Sequence, residues 1–466
     1  MNKREFLKAS SAVLTTSILS RFASGAENTT GAQMPAGEQV AHLPHRTNWA
    51  GNFTYSTDRL YSPTTVEEVQ HIVKNAPSLR GLGARHSFNS IADSTAAQIS
   101  LKGFDSMELD RNARTVTVGA GVTYGKLAPY IDAQGFAVHN LASLPHISVV
   151  GACATATHGS GVRNGNLSTS VLAIELVKAD GTVVNLSRAT LGEKFNGVAV
   201  AMGALGITTR VTLQVEPTFQ ATQSVYQNLS FNELKNNLET IMSSGYSVSL
   251  FTDWQNHKAT QVWIKRRVEP GVTHVPAPMF YGATLATKKL HPLEGHDAEN
   301  CTEQMGIPGP WYERLPHFRM NFTPSSGQEL QTEYLIPREH AYEAILAVEQ
   351  LRDRITPHLF ITELRTIAAD DLWVSTAYKQ PSLAIHFTWK PEWPAVKAIL
   401  PLIEAKLAPF HARPHWGKLF TMDPAHIQSL YPRMEDFKRL VQEYDPHGKF
   451  SNAFLQTNLG IASVVA

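Results

Sequence analysis

The chain has 466 residues, a length at which two domains are more usual than one hydrophobic core. Apolar residues make up 43% and charged residues 17%, which excludes wholesale disorder. Lys and Arg number 41 against 40 for Asp and Glu, and no basic run stands out, so a nucleic-acid partner is disfavoured. The two cysteines, Cys153 and Cys301, exclude a multi-cysteine metal site but leave one disulfide open. We predict no bound metal. A small ligand that is neutral, or that is bound by a few local charges, fits this composition best.

The first 26 residues have the pattern of an export signal. Lys3 and Arg4 precede a short apolar run from Ala9 to Leu19, and small residues end at Ala26. The run is too short to span a bilayer. The pattern resembles a twin-arginine signal, although Lys3 stands at the first arginine position; a general secretory signal or an uncleaved tail are the alternatives. We expect a periplasmic or secreted protein that meets an export machinery and whose mature chain is not inserted in a membrane.

After a polar linker to about residue 45, short strands alternate with helices as far as residue 220. We predict helices over Thr64–Lys74 and Tyr124–Gln134, strands over Leu79–Gly83, Thr115–Gly119 and Ile207–Val215, and a hairpin of Val171–Lys178 with Thr182–Leu186 that turns at Asp180 and Gly181. This alternation indicates an α+β domain.

Residues 221–405 carry longer β-branched strands, with two helices predicted over Phe231–Ser243 and Glu339–Arg354. The stretch 268–325 is rich in Pro and Gly and is long for a connection, so it either shapes a substrate entrance or is packed coil. Residues 406–466 contain a helix near Met434–Tyr444, followed by the motif Asp445–Asn452.

Three glycine-rich segments are candidate ligand loops. Residues 81–86 begin like a dinucleotide fingerprint, but His86 replaces the third glycine and no amphipathic helix follows, which argues against NAD. Such a turn still binds phosphate through its N–H groups. Residues 141–161 are mostly small or hydroxyl-bearing, which lets a ligand approach the backbone. The third segment, Gly203–Ile207, precedes a strand.

In their order and spacing, these segments and the motif Asp445–Asn452 resemble the vanillyl-alcohol-oxidase type of FAD-binding protein. Within that superfamily the chain is most similar to the alditol (xylitol) oxidases, to which the aldonolactone oxidases are related. The resemblance covers the mature chain. It implies a two-domain α+β fold, with an FAD-binding domain over 46–220, a substrate domain of antiparallel sheet flanked by helices over 221–405, and a C-terminal segment over 406–466 that returns to the flavin.

The resemblance also implies which residues hold the cofactor. The imidazole of His86 is expected to be bonded covalently to the flavin 8α-methyl group; without the flanking glycines it would be an ordinary turn histidine. Ala142 is expected beside the flavin, where a small residue admits oxygen, and Ile207 near the adenine end. The implied FAD-binding residues are Gly81, Gly83, Ala84, Arg85, His86, Ser87, Ala142, Ser143, Ser148, Gly151, Ala152, Cys153, Ala154, Thr155, Gly159, Ile207 and Lys418.

Two predicted strands each carry a polar pair on one face. The period of two places Glu363 with Arg365, and His386 with Thr388, opposite an apolar face. From the pattern alone these are either a pocket wall or an exposed sheet whose Glu–Arg pair contributes less than about 1 kcal/mol. The resemblance implies that all four line the substrate pocket, with Lys418 and Ser143 beside them.

Under this resemblance Glu363 and Thr388 bind hydroxyl groups, and Ser143 also faces the substrate. Arg365 and His386 orient the reacting oxygen and help its proton to leave, while Lys418 supplies positive charge near the flavin. The expected activity is FAD-dependent oxidation of a terminal alcohol of an alditol such as xylitol or sorbitol to the aldehyde, with O2 reduced to H2O2. The alternatives are an aldonolactone oxidase or dehydrogenase, and a periplasmic carbohydrate-binding protein without redox activity. We expect a monomer.

Overall fold

The computed structural model describes residues 40–272, 274–322 and 329–461. The predicted export signal over residues 1–26 lies outside these ranges. Within them, no helix combines the length and apolar character that crossing a membrane requires. Cys153 and Cys301 are both free, buried thiols, so the disulfide that the sequence left open is not formed.

Short strands and helices make up residues 40–217. The strands are β1 (Val40–His42), β2 (Arg59–Tyr61), β3 (Arg80–Leu82), β4 (Gln98–Ser100), β5 (Met107–Asp110), β6 (Thr115–Gly119), β7 (Phe136–Ala137), β8 (Val171–Val177), β9 (Val183–Ser187), β10 (Ile207–Gln214) and β11 (Glu216–Pro217). The helices are α1 (Val66–Asn75), α2 (Tyr124–Asp132), α3 (Val149–Ala154) and α4 (Arg188–Leu191).

These strands form separate sheets. One has the order β1–β2–β4–β3, with β2 and β3 parallel to β4, and another has the antiparallel order β5–β6–β10–β8–β9. Helix α1 begins with a capping box between Thr65 and Glu68 and buries Val69, Ile72 and Val73 in the core beside the first sheet. The predicted helices, strands and hairpin of this part are confirmed to within two residues at their ends.

One large sheet dominates the following residues. Its strands are β12 (Gln220–Ser230), β13 (Ser247–Thr252), β14 (Lys258–Arg267), β15 (Met279–Phe280), β16 (Ala283–Leu285), β17 (Gly309–Pro310), β18 (Leu330–Pro337), β19 (Leu359–Ile367), β20 (Ser382–Trp389) and β21 (Arg413–Pro414). The main order is β15–β16–β12–β14–β13–β19–β20–β18–β21, with β17 on β12, and all pairs are antiparallel.

Helices pack against this sheet: α5 (Phe231–Met242), α6 (Ala341–Glu349), α7 (Arg352–Ile355) and α8 (Trp393–Leu407). The predicted single helix over Glu339–Arg354 is wrong in one respect, because the chain breaks between α6 and α7, where the N–H of Leu351 bonds the carbonyl of Val348 three residues back. The prediction of two helices also missed α8. Pro401, inside α8, is a residue that sequence reasoning reads as a helix breaker. The α+β fold with an antiparallel sheet flanked by helices is confirmed, whereas the domain boundaries stay a prediction.

The C-terminal residues fold into α9 (Pro424–Ser429), α10 (Met434–Tyr444) and α11 (Ala453–Leu459). Between α10 and α11 the motif 445–452 runs back to β3. The N–H of Leu79 bonds the carbonyl of Lys449 at 3.0 Å, and the buried Arg80 guanidinium donates to the carbonyl of Phe450 at 2.6 Å. Asn452 donates to the carbonyls that follow β3, including that of Ser90 at 3.1 Å. The chain end thereby supports the glycine-rich turn after β3.

Candidate active site

The glycine-rich turn after β3 is pressed against the start of α3. A Cβ added to Gly83 would lie 2.7 Å from Oγ of Ser148, the residue that precedes α3, and Ser148 Oγ also lies 3.4 Å from the N–H of Ala84. A Cβ on Gly151 would meet the same oxygen at 2.7 Å. Gly81 and Gly83 are exposed along the turn. Glycine is therefore required here, and it leaves an accessible backbone edge.

His86 stands at the end of this turn as a neutral imidazole. Its ring stacks on Trp49, with centroids 4.3 Å apart, and its Nε2 hydrogen-bonds Nε2 of His146. Burial, together with the positive charges of His146 and Lys418, lowers the pKa of His86 to about 3. Arg85 adopts a left-handed conformation (φ 63°) at the turn, and Ser87 accepts a hydrogen bond from Asn48 at its carbonyl. The imidazole is thus held in one place and unprotonated at neutral pH.

The small-residue segment 141–161 is mostly buried. Cys153 Sγ packs 3.7 Å from Tyr124 Oη in the core, and Thr155 Oγ1 donates back to the carbonyl of Gly151 at 3.1 Å. A Cβ on Gly159 would collide with Asn140. These side chains are committed to protein contacts, so a ligand meets chiefly the half-buried surface of this segment. Ala142 and Ala152 are buried, whereas Ser143, Gly151, Ala154 and Thr155 are half-buried.

A small cleft between α3 and β10 lies next to this segment. Its lining includes Ala154, Leu176 and Gly206. The side chain of Ile207 is not on the cleft surface but in the core beneath the turn, where a Cβ on Gly81 would lie 3.9 Å from its Cδ1. The predicted residue therefore supports the turn from below, and the backbone beside it borders the cleft.

Strand register builds a second group of residues on one face of the large sheet. Glu333 of β18 pairs with His386 of β20, which pairs with Glu363 of β19. Arg365 and Thr388 follow at two-residue spacing on the same face. The opposite face is apolar, as predicted for β20. We call Glu333, Glu363, Arg365, His386, Thr388 and the adjoining Lys418 the polar wall.

Glu333 is the hub of the polar wall. Its carboxylate accepts hydrogen bonds from Arg365 NH2 at 2.8 Å and from Lys418 Nζ at 2.5 Å, and His158 Nε2 lies 3.3 Å away. The Glu333 side chain is 1% exposed. Burial alone would raise the pKa of this carboxyl, but Lys418, His158 and Arg365 outweigh it and hold the pKa well below the ordinary range. Glu333 is therefore a permanent buried anion between two cations.

His386 is engaged at both ring nitrogens. Lys418 Nζ lies 2.7 Å from Nδ1 and Thr388 Oγ1 lies 3.1 Å from Nε2. A lysine ammonium only donates, so Nδ1 accepts and the ring proton is on Nε2. Burial, followed by the charge of Lys418, places the pKa of His386 well below its usual value. The wall thus presents a neutral, oriented imidazole next to a hydroxyl.

Glu363 is likewise buried and ionised. Its Oε1 lies 2.7 Å from Nε2 of His317, and its Oε2 lies 3.6 Å from Nε of Arg365. Burial raises the pKa of Glu363, but Arg365, His317 and His386 outweigh it, so the pKa lies far below the ordinary value. Glu363 and Arg365 are 4% and 5% exposed, which excludes an exposed surface pair.

The glycine-rich turn and the polar wall meet through residues 415–418. The Asn89 amide donates to the carbonyls of Trp416 and Lys418 at 2.9 and 2.7 Å, and the N–H of Phe88 bonds the carbonyl of Gly417 at 2.8 Å. These hydrogen bonds hold the segment that begins at His86 against the loop that carries Lys418. The turn and the loop of the polar wall are therefore held next to each other.

Several residues of this arrangement were not predicted from the sequence: Glu333, His158, His317, Lys265 and His146. One sequence signal could have identified Glu333, because polar and apolar residues alternate in β18 as they do in β19 and β20. The histidines lie in loops without periodicity, and their approach to the wall follows from the order of the strands. Within the prediction, Glu363, Arg365, His386, Thr388 and Lys418 are brought together.

Solved proteins share the fold of this chain. Cholesterol oxidase from Brevibacterium sterolicum superposes with a TM-score of 0.71 at 14% identity, covering 93% of this chain and 100% of that one. Glucooligosaccharide oxidase from Acremonium strictum gives a TM-score of 0.69 at 13% identity, covering 90% and 94%. The family model of an FAD-binding domain matches residues 57–187, and that of D-arabinono-1,4-lactone oxidase matches residues 323–458. The fold, together with the match to the FAD-binding model, is that of an FAD-dependent oxidoreductase.

Among curated relatives, the alditol oxidase of a Streptomyces species is 46% identical over 416 residues, which is 88% of this chain and 98% of that protein. The L-gulono-1,4-lactone dehydrogenase of Mycobacterium tuberculosis is 27% identical over 434 residues, covering 90% and 99%. The chain belongs to the alditol oxidase family. Aldonolactone oxidases and dehydrogenases are more distant relatives.

The described residues fit FAD. The turn at Gly81 and Gly83 offers exposed backbone, an apolar cleft lies beside Ala154 and Gly206, and the neutral His86 lies within the electrostatic influence of Lys418 of the polar wall. These features would hold, in turn, the phosphates, the adenine end and the flavin end of the cofactor.

Proposed function

We propose that this protein oxidises the terminal alcohol of an alditol such as xylitol or sorbitol to the aldehyde, with O2 reduced to H2O2. The observation that carries the proposal is the polar wall next to His86. Two carboxylates, Glu333 and Glu363, balance two cations, Arg365 and Lys418, so the wall binds hydroxyl groups without favouring a charged substrate. A neutral polyol matches this surface better than a sugar acid does.

FAD, when bound, would supply the hydride acceptor and the route by which electrons reach oxygen. The chain itself binds and orients the polyol. Glu363 accepts hydrogen bonds from hydroxyl groups and Thr388 offers a further hydroxyl partner. Arg365 and the neutral His386 orient the reacting oxygen and support the departure of its proton. Lys418, held between Glu333 and His386, places positive charge where negative charge develops.

We propose further that FAD is bonded to His86. The imidazole is neutral, so it would act as a nucleophile toward the 8α-methyl carbon, and its Nε2 is occupied by His146, which leaves Nδ1 for the bond. The new N–C bond would replace one C–H bond of the methyl group, and the two protons and the electron pair that are released would be taken up by O2 as H2O2. The fold relative from Acremonium strictum is described as carrying an 8α-N1-histidyl FAD. The test is acid precipitation: colour should stay in the wild-type pellet and pass to the supernatant in H86A. The exposed His42 provides the control H42A, and retained colour in H86A would disprove the attachment site.

Lactone oxidation is the second candidate, favoured by the match of residues 323–458 to the lactone oxidase model. The purified flavoprotein should be mixed with xylitol, sorbitol and L-gulono-1,4-lactone, first without oxygen to record flavin bleaching and then with oxygen to record H2O2. We expect bleaching and H2O2 with the alditols. If only the lactone bleaches the flavin, the protein is a lactone oxidase or dehydrogenase and our proposal fails. A colourless protein would instead favour a carbohydrate-binding protein.

Finally, we propose that the protein is exported as a folded monomer and acts in the periplasm or outside the cell, on the evidence of the pattern in residues 1–26. Deletion of these residues should retain activity in the cytoplasmic fraction. Equal fractionation of the full and shortened chains would argue against export, and gel filtration of the active protein tests the monomer.

A further inference from the structure

His317 reaches the polar wall from the stretch 268–322, which the proposed chemistry does not use. Its Nε2 lies 2.7 Å from Oε1 of Glu363. The rings of Phe251 and Trp263 meet the imidazole edge-on at centroid distances of 5.4 and 5.3 Å. The side chains of His317 and Glu363 are 7% and 6% exposed, so the contact is shielded from solvent. The imidazole is held in one orientation by its surroundings.

A buried lysine holds this stretch in place. Lys265 of β14 is 1% exposed, and its ammonium donates to the carbonyls of Leu315 and Pro316 and lies 3.3 Å from Nδ1 of His317. Glu363 attracts the charge of Lys265, but burial outweighs this attraction and lowers the pKa of Lys265 to about 7. Because burying an ammonium is costly, its hydrogen bonds matter, and they go to the two residues before His317 and to His317 itself.

These contacts assign the proton on His317. Lys265 donates toward Nδ1, so the neutral ring carries its proton on Nε2 and donates it to Glu363 Oε1. We propose that Lys265 and His317 are positioning residues that fix the carboxylate of Glu363 for polyol binding. This inference rests on the proposed function, in which Glu363 accepts substrate hydroxyls.

The two carboxylate oxygens of Glu363 therefore have different roles. Oε1 is taken by His317, while Oε2 lies beyond hydrogen-bonding distance from Arg365 Nε, at 3.6 Å. Oε2 therefore keeps its capacity to accept a substrate hydroxyl. Because Lys265 binds the backbone of residues 315 and 316, the stretch 268–322 and the orientation of Glu363 are linked.

The test compares H317M, which removes the donor, with H317Q, whose amide N–H can take the place of Nε2–H. In the purified flavoprotein with xylitol, loss of a hydrogen bond to a charged group should raise KM about tenfold in H317M with kcat within about threefold. H317Q should restore most of the affinity. The control is H257Q, because His257 also pairs with a glutamate, Glu349, at 2.8 Å but lies outside the polar wall.

A second comparison places H317M in an E363Q background, where we expect little additional rise in KM because the carboxylate charge that His317 orients is already gone. Independent effects of the two substitutions, or equal impairment of H317M and H317Q, would show that His317 only fills space and would overturn the proposal.

The anchoring by Lys265 has its own measurement, made without substrate. Amide exchange across residues 314–318 of the flavoprotein should be about tenfold faster in K265M than in the wild type. The control K258M removes a lysine of the same strand that bonds Asn228 at 2.6 Å. Unchanged exchange in K265M overturns the anchoring. If the wild type oxidises no alditol, the proposed function fails, while amide exchange still decides whether Lys265 holds the stretch.

Discussion

Replacement of Glu333 by glutamine tests most directly whether this carboxylate holds the two cations of the polar wall. The substitution keeps the shape of the side chain but removes its charge, so Arg365 and Lys418 lose the anion that both contact, at 2.8 and 2.5 Å. All three groups are buried or nearly so, with 1% exposure for the Glu333 side chain. The variant E333Q therefore leaves Arg365 and Lys418 with Glu363 as the one remaining carboxylate of the polar wall, in a region of low dielectric.

The cost follows from the number of charge-assisted bonds that are lost. Each hydrogen bond to a charged group contributes roughly 1.5–3 kcal/mol, and breaking a buried pair typically costs about 3–5 kcal/mol. The glutamine oxygen still accepts from one cation, so we expect a loss of about 3–5 kcal/mol of unfolding free energy. For a chain of 466 residues this corresponds to roughly 1 °C per kcal/mol, or a fall in Tm of about 3–5 °C.

The assay is thermal unfolding of the purified flavoprotein, compared with E404Q as the matched control. Glu404 is also a buried glutamate, but it accepts from the hydroxyls of Tyr334 and Thr421, at 2.9 and 2.6 Å, and from the N–H of Thr421 at 2.7 Å, and none of its described partners is a cation. E404Q leaves no buried cation without its partner, so it should cost less, about 1–3 kcal/mol. If E333Q unfolds at the wild-type temperature, or no earlier than E404Q, Glu333 does not hold the two cations and our description of the wall is wrong.

Three further predictions concern the turn, the wall and the buried lysine. G83A should lower the FAD content, because its Cβ would lie 2.7 Å from Ser148 Oγ, at a cost of roughly 1–3 kcal/mol. The double variant G83A/S148A should regain FAD, and flavin absorbance per mole of protein measures the content of each variant. E363Q should keep its FAD but raise KM for xylitol at least about tenfold, and an unchanged KM would remove Glu363 from the site. Burial lowers the pKa of Lys265 to about 7. Between pH 7 and about 10 the lysine therefore holds a proton in the unfolded chain but not in the folded chain, so the free energy of unfolding increases as the pH rises. Relative to K265M, the Tm of the wild type should therefore increase over this range, and a constant difference would contradict that reading.

Much of the local structure was predictable because its causes are local. The capping pattern around Thr65 and Glu68 defines the start of α1, and the alternation of polar and apolar residues separates the two faces of β20. The same alternation placed Glu363 beside Arg365. The glycines before His86 marked a turn that no larger residue fits, as the contact between Gly83 and Ser148 shows.

The tertiary structure decided which of these pieces meet. Strand β20 lies between β19 and β18, and only this order sets Glu333 and Glu363 on either side of His386. The alternation in β18 marks Glu333 as a polar residue of a strand but does not show that it is buried, because burial and pairing arise from contacts between distant segments. Likewise, Lys265 and His317 acquire their roles only when residues 315–317 pack against β14, where the buried lysine meets backbone carbonyls and an imidazole.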